Sequence, residues 1–137
     1  MTRHRFAIRI AAAAAIVAAI TAGGTAAGPA QAAAPETVIV TFHAKAGSEA
    51  ELAAVIARHW DTARRLNLVL DSPHLTVRGT EGDRQVYFVD IFAWRDASVP
   101  DHVPAEIQKI WSDMNRLVEA RNGKPGLEFS EVAVVDK

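Results

Sequence analysis

The apolar positions of the chain switch between the twofold period of a strand and the period of about 3.6 residues that is typical of a helix. Residues 37–44, TVIVTFHA, are rich in β-branched side chains and predict a first strand. Ser48 and Glu51 form a capping-box sequence, which predicts the start of a helix. The apolar stripe of this helix consists of Leu52, Ile56, His59, Ala63 and Leu66. We expect it to end within residues 67–72, because Pro73 disfavours helix before it.

A hairpin is predicted next. Leu75 and Val77 alternate with polar neighbours in residues 74–79, a pattern that is typical of a strand. The sequence TEGD at residues 80–83 predicts a turn, so residues 84–94 should return as the partner strand.

A second helix and a last strand complete the pattern. Residues 97–104 are predicted to form a loop, in which Asp101 can cap the helix that follows. The apolar stripe of this helix consists of Ile107, Ile110, Trp111, Met114, Leu117 and Val118. Asn122 and Gly123 should end it, and residues 127–135 should form the last strand.

The order strand, helix, strand, strand, helix, strand predicts an α+β domain of the ferredoxin-like, split βαβ type. Its four-stranded antiparallel sheet would carry helices on one face only. The third strand is nevertheless apolar on both sides, with Phe88, Phe92 and Trp94 on one and Tyr87, Val89, Ile91 and Ala93 on the other. The last strand, which ends in VAVV, also has the composition of a strand covered on two sides. We therefore expect a second copy of the chain to cover the open face, giving a homodimer of two packed sheets.

The first 32 residues have the layout of a secretory signal peptide. Arg3, Arg5 and Arg9 precede an alanine-rich apolar run at residues 11–22, and Ala-Gln-Ala at 30–32 is a suitable cleavage sequence. The run is shorter than the roughly 20 strongly apolar residues of a membrane span. We expect cleavage, a secreted or periplasmic protein without a membrane anchor, a linker at 33–36 and one domain at 37–137. An uncleaved anchor is the alternative.

Charge and cysteine content exclude several classes of function. Residues 1–32 hold three of the 15 lysines and arginines and none of the 16 acidic residues, so the remainder has a formal charge of −4. Such a domain lacks the basic field that attracts nucleic acid. The chain contains no cysteine, which excludes disulfides, thiolate chemistry and iron–sulfur clusters.

The passage VYFVDIFAWRD, residues 86–96, followed by Asp101, His102 and a helix with Trp111 and Met114, resembles the antibiotic biosynthesis monooxygenase family and its dimeric α/β-barrel relatives. The resemblance implies a homodimer in which each subunit has a cavity between helices and sheet. It also implies oxidation of aromatic polyketides or quinols without metal or flavin, since characterised relatives do this. One branch of the relatives degrades haem.

The resemblance implies roles for two residues. Trp94 matches a tryptophan on which those enzymes depend, and His102 approximates a histidine of the haem-degrading branch. That branch also uses an asparagine on the first strand, where this chain offers Thr41 and His43 instead. Haem degradation is therefore disfavoured, and no cofactor is expected.

Asp90 is the main candidate for chemistry from the residues themselves. It shares a strand face with Phe88, Phe92 and Trp94, so it is expected to be a carboxylate in an apolar cavity. Desolvation would raise its pKa, which suits a base that deprotonates a phenol or quinol. The alternative is a structural ion pair with Arg78 or His43.

The other candidates are histidines, aromatic residues and an amide. His59 lies on the apolar stripe of the first helix and is either a second proton acceptor or a hydrogen-bonded core residue. His102 is a further catalytic candidate. Substrate contacts are expected from Trp94, Phe92, His43 and Asn115. The histidines lack paired ligand spacing, so no metal site is expected.

Two functions fit these features. One is an exported monooxygenase that acts on a small aromatic or quinol-type molecule. The other is a non-catalytic dimeric domain of the same fold that binds a small ligand or serves as a scaffold.

Overall fold

Four strands and two helices follow one another in the predicted order. The computed structural model describes residues 33–135, and the expected signal peptide lies outside them. The elements are β1 (Glu36–His43), α1 (Glu49–Arg65), β2 (Val69–Thr80), β3 (Val86–Trp94), a 3₁₀ turn (Val99–Asp101), α2 (Ala105–Leu117) and β4 (Leu127–Val132). All strand pairs are antiparallel, in the spatial order β2-β3-β1-β4. The prediction of a ferredoxin-like α+β fold is confirmed.

The sheet has one face beneath the helices, the helix face, and one without such cover, the open face. On β3 the helix face carries Phe88, Asp90, Phe92 and Trp94, all of them buried. The open face carries half-buried Tyr87, Val89 and Ile91 of β3 and, from β2, Leu75 and Val77, which are 54% and 42% exposed. The apolar character of both faces of β3 is thus confirmed.

Both helices bury a single stripe against the helix face. The buried apolar residues of α1 and α2 are Leu52, Val55, Ile56, Ala63, Ile107, Ile110, Met114 and Leu117. Each fully buried aliphatic side chain stabilises the fold by about 1.5–3 kcal/mol relative to exposure, so this stripe fixes both helices on the sheet. Within residues 33–135, neither helix has the length and apolar character that crossing a membrane requires.

The predicted helix caps are confirmed only in part. Ser48 is the N-cap residue of α1, as predicted, but its side chain makes no capping hydrogen bond, and Glu51 pairs with Arg116 at 3.0 Å. Asp101 lies in the 3₁₀ turn, and Pro104 is the N-cap of α2. The extended backbone of Pro104 lets its carbonyl accept the first hydrogen bonds of the helix without a side-chain cap.

Three element boundaries also differ from the prediction. Strand β2 begins at Val69, and its pairing with β3 breaks between Val69 and His74, around a proline that cannot donate to the ladder. Helix α2 ends at Leu117 because Val118 is extended and pairs with Ala44. Strand β4 ends at Val132, and in the single chain its residues are not covered on two sides.

A buried arginine joins three segments at one end of the sheet. Arg121 is 6% exposed, and its guanidinium donates to the carbonyls of Ala44 at 2.7 Å and Val86 at 3.1 Å. It also donates to the carboxylate of Glu81 at 3.3 Å. These acceptors lie after β1, at the start of β3 and in the β2–β3 turn, so one side chain holds all three together.

Candidate functional site

Asp90 lies at the centre of a group that we call the acid cluster: His74, Thr76 and Asp90. The carboxyl is 1% exposed, and Oδ1 accepts a hydrogen bond of 2.6 Å from the Thr76 hydroxyl. His74 Nε2 lies 3.4 Å from the same oxygen. Thr76 is directly opposite Asp90 in the β2–β3 register, so their side chains emerge on the same face.

The buried carboxyl therefore has a partner, but not one of those predicted. Arg78 is opposite Phe88, one side-chain pair further along the sheet. His43 is opposite Tyr87, whose side chain points to the open face. The register, and not charge alone, determines that His74 is the partner.

Burial raises the pKa of Asp90 above its ordinary value of 3.8. The hydrogen bond from Thr76 and the proximity of His74 act in the opposite direction, but desolvation is the larger effect. The carboxyl thus holds a proton more readily than an exposed aspartate does. That property suits proton transfer.

Trp60 of α1 covers the acid cluster. Its indole stacks on the imidazole of His74, with ring centroids 3.6 Å apart and planes inclined by 7°. The guanidinium carbon of Arg64 lies 5.8 Å from the Trp60 ring, and Arg64 pairs with Asp71. The side chain of His74 keeps 26% of its surface exposed, so the cluster reaches from the buried carboxyl to the surface.

A second group, the aromatic cluster, consists of His59, Phe92, Trp94 and Trp111. The ring of His59 lies edge-on to Phe92 at 5.6 Å and to Trp94 at 5.9 Å. Trp111 Nε1 donates a hydrogen bond of 3.1 Å to His59 Nε2. These contacts fill the space between the helices and the Trp94 end of β3. Trp94 Nε1 is buried without an acceptor among residues 33–135, which costs about 1–3 kcal/mol.

Burial lowers the pKa of His59 from 6.5 to about 4. The unfolded chain protonates this histidine at its ordinary pKa, so between these two values the unfolded state binds more protons than the folded state. The free energy of unfolding should therefore fall as the pH is lowered through this window. Asp90 acts in the opposite sense, because its raised pKa adds stability that is lost as the pH rises.

When the pH is lowered from about 7 to about 4.5, the free energy of unfolding of the wild-type protein should fall by about 2 kcal/mol more than that of a His59→Gln variant. Glutamine can still accept the hydrogen bond from Trp111 but does not titrate. Urea unfolding of both proteins at the two pH values measures this difference. Equal pH dependence in the two proteins would contradict a buried neutral His59.

The structure separates the other predicted site residues from these two clusters. His43 is 4% exposed, and its Nε2 lies 3.0 Å from Glu128 at the edge of the sheet. His102 is exposed at the end of the 3₁₀ turn. Asn115 is exposed on α2. Of the predicted residues, Asp90, Phe92 and Trp94 lie on the helix face, and His59 packs on Phe92 and Trp94 from α1.

Two surface depressions lie away from both clusters. One, of about 190 Å³, is lined by Arg58, Thr62, Glu106, Lys109, Ile110 and Asp113 between the helices. The other, of about 110 Å³, lies near Arg121. Within residues 33–135, no group of three histidine or acidic side chains is arranged to hold a metal ion.

Comparison with solved structures shows which proteins have a similar fold. SnoaB, a cofactor-independent oxygenase from Streptomyces nogalater, superposes with a TM-score of 0.57 at 19% sequence identity, over 77% of this chain and 97% of SnoaB. The domain has the SnoaB fold. Rv0793 from Mycobacterium tuberculosis gives a TM-score of 0.52 at 13% identity, over 76% of this chain and 98% of its own. A candidate antibiotic biosynthesis monooxygenase from Bacteroides thetaiotaomicron gives a TM-score of 0.52 at 11% identity, over 75% of this chain and 91% of its own.

These likenesses confirm that the chain has the ferredoxin-like fold of antibiotic biosynthesis monooxygenases. No protein-family model matches the sequence, and a search of curated proteins gives no match. At such identities the likenesses show the fold alone, so activity has to be argued from the acid and aromatic clusters.

Proposed function

We propose that the chain is an exported oxygenase that oxidises a small phenol or hydroquinone with dioxygen and without metal or flavin. The single observation that carries the proposal is the acid cluster, in which a carboxyl that is 1% exposed and has a raised pKa lies beside a partly exposed histidine. The likeness to SnoaB, itself a cofactor-independent oxygenase, supports it. Export is supported by the sequence pattern of residues 1–32.

The chemistry needs only what the substrate and dioxygen supply. Removal of a hydroxyl proton leaves an electron-rich anion, and the substrate itself provides the electrons that reduce oxygen. A hydroquinone and one molecule of O₂ then give a hydroxyquinone and one molecule of water. The protein contributes a proton acceptor and holds the substrate beside it.

Within the proposal, the acid cluster and the aromatic cluster have different parts. The acid cluster accepts the proton, since His59 Nε2 already accepts the hydrogen bond from Trp111. Trp94 is 2% exposed and packs within the aromatic cluster, so its part is to hold the helices on the sheet. Phe92 supports Trp94 edge-on at 5.0 Å.

Aerobic incubation of the purified protein with a panel of hydroquinones and phenols tests this function. Oxygen uptake and hydroxyquinone formation in equal amounts are expected for at least one member of the panel. Treatment with a chelator should leave the rate unchanged. Absence of oxygen uptake with every substrate would contradict the proposal.

A second function, non-catalytic binding or scaffolding, is favoured by one observation. The aromatic cluster fills the space next to Trp94 with the protein's own side chains. In that case aromatic compounds would bind without being oxidised, or would not bind at all. The same panel separates the two functions when binding is measured beside oxygen uptake.

We also propose that two copies pack through their open faces. Leu75 and Val77 are 54% and 42% exposed in the single chain, next to half-buried Val89 and Ile91. A continuous apolar sheet face of this kind is rare on a monomer. Packing two such faces would remove these side chains from water.

A Val77→Glu variant should convert the dimer to a monomer, because a charge at this position would be buried without a partner. Light scattering measures the mass of the particle in solution. Ala54→Glu, on the exposed surface of α1, is the matched control and should remain dimeric. A monomeric wild-type protein, or a dimeric Val77→Glu variant, would contradict packing through this face.

A further inference from the structure

His74 and Thr76 are the members of the acid cluster that are exposed at the surface, and His74 is the titratable one, since Asp90 is 1% exposed. Trp60 covers one face of its ring at 3.6 Å. Its Nε2 edge lies 3.4 Å from both the carboxyl of Asp90 and the hydroxyl of Thr76. The side chain is still 26% exposed, and Nδ1 makes no hydrogen bond within residues 33–135. Nδ1, on the other edge of the ring, is therefore the nitrogen without a protein partner among these residues.

The arrangement determines which nitrogen can accept a proton. The Thr76 hydroxyl donates to Asp90, so its oxygen and the carboxylate both present lone pairs towards His74 Nε2. A proton on Nε2 satisfies both acceptors. Nδ1 of the neutral imidazole then carries a lone pair that points away from the cluster.

We propose that His74 is the catalytic residue that removes the hydroxyl proton of a phenol or hydroquinone, with Asp90 and Trp60 as positioning residues. This inference rests on the proposed oxygenase function. It assigns the contact with substrate to His74, which lies at the surface, and not to Asp90, which is 1% exposed.

The step balances without a further reactant. The O–H bond of the substrate breaks, its electron pair stays on oxygen, and the proton moves to Nδ1. The Nε2 proton can move at the same time to the carboxylate of Asp90, whose raised pKa favours its uptake. The pair then carries the extra proton without leaving an unpaired charge in an apolar environment.

Trp60 and Arg64 indicate the chemical class of the substrate. The Trp60 indole holds the imidazole plane in place, so Nδ1 keeps one direction. Arg64 lies 5.8 Å from that indole and is about half exposed, and its positive charge is shared with exposed Asp71 at 3.3 Å. A substrate that becomes an anion when it loses its proton is favoured there, which suits phenols and hydroquinones over neutral aromatic hydrocarbons.

Binding of fluorinated phenols of graded acidity to the full-length protein tests the inference without turnover, because phenol and phenolate differ in ultraviolet absorbance. At a pH about one unit below the pKa of the free phenol, the wild-type protein should bind it as phenolate. A His74→Gln variant should bind the same phenol in neutral form. In hydroquinone oxidation this variant should lose about 10²-fold in kcat/KM for weakly acidic substrates and stay within about threefold for substrates already ionised.

A measurement on the wild-type protein covers the case in which His74→Gln does not fold. In protein labelled with nitrogen-15 histidine, the Nδ1 signal of His74 should change from unprotonated to protonated when the phenol binds. The role of His74 is overturned if phenol binds to the wild-type protein but stays neutral. It is also overturned if phenol ionises equally on the wild-type protein and the His74→Gln variant. Either result leaves the oxygenase proposal standing. Absence of both phenol binding and oxygen uptake overturns both.

Discussion

An Asp90→Asn variant should lose about 10²-fold or more in kcat/KM for hydroquinone oxidation, while its fold is retained. Asparagine has the shape of aspartate and can still accept the 2.6 Å hydrogen bond from Thr76. It has no proton-accepting carboxylate, so it cannot take up the Nε2 proton of His74. The loss should be larger for weakly acidic phenols than for those already ionised in solution. Steady-state kinetics across a series of substrate acidities measures this dependence.

Asp83→Asn is the matched control for this substitution. It removes the same charge from an exposed position in the β2–β3 turn and should leave the kinetics unchanged. Urea unfolding of the Asp90→Asn variant should show a free energy of unfolding within about 1 kcal/mol of the wild-type value. A variant that is folded and fully active would show that the acid cluster does not take part in the reaction. A loss that is equal for all substrates would assign Asp90 a structural role only.

An Arg121→Leu variant should lose about 3 kcal/mol of the free energy of unfolding. The guanidinium is 6% exposed and satisfies two carbonyls and a carboxylate on three different segments. Leucine would leave the Ala44 and Val86 carbonyls without their donors in a buried environment. It would also leave Glu81 without the nearest positive charge. Urea unfolding followed by circular dichroism measures the change.

Arg116→Leu is the control for the loss of an arginine as such. Its guanidinium pairs with Glu51 at 3.0 Å, but both side chains are more than half exposed. An exposed pair of this kind contributes at most about 1 kcal/mol, so the control should unfold near the wild-type midpoint. An Arg121→Lys variant should fall between the two, because one ammonium group cannot reach three acceptors in different directions. Equal stability of the Arg121→Leu and Arg116→Leu variants would contradict the role of Arg121 in joining the three segments.

The element order and the two faces of the sheet could be predicted from the sequence because periodicity depends on local backbone geometry. Phe88, Phe92 and Trp94 lie on the helix face because alternate residues of a strand point to the same side. The ends of the elements were harder to predict. Asp101 is of a residue type that is preferred at N-caps, but the chain forms a 3₁₀ turn there and α2 starts after Pro104. Which residue caps a helix depends on the path of the loop, which periodicity does not define.

The acid cluster was only half predictable, and the reason is strand register. The burial of Asp90 follows from its place between apolar neighbours on β3. Its partner depends on the length of the β2–β3 turn, which includes residues 81–85 and not the predicted 80–83. The observed turn brings Thr76 opposite Asp90. His74 and Trp60 then meet through packing between β2 and α1, a contact between residues 14 positions apart that no local pattern indicates.

The aromatic cluster, too, could be predicted from the sequence only in part. The apolar stripes of α1 and α2 predicted that His59 and Trp111 would face the sheet. Their hydrogen bond of 3.1 Å depends on how the two helices pack against each other. It assigns His59 Nε2 to an acceptor role that the sequence left open between proton transfer and core packing. The low pKa of His59 follows from that burial.

The carbon-13 NMR titration of the Asp90 side-chain carboxyl is the most direct test of the claim that a buried carboxyl with a raised pKa forms the centre of the site. We expect a pKa above the ordinary value of 3.8, because burial outweighs the hydrogen bond from Thr76 and the proximity of His74. A Thr76→Val variant should raise it further, since the hydroxyl stabilises the ionised form. A carboxyl that titrates at or below 3.8, unaffected by the loss of the Thr76 hydroxyl, would contradict the account.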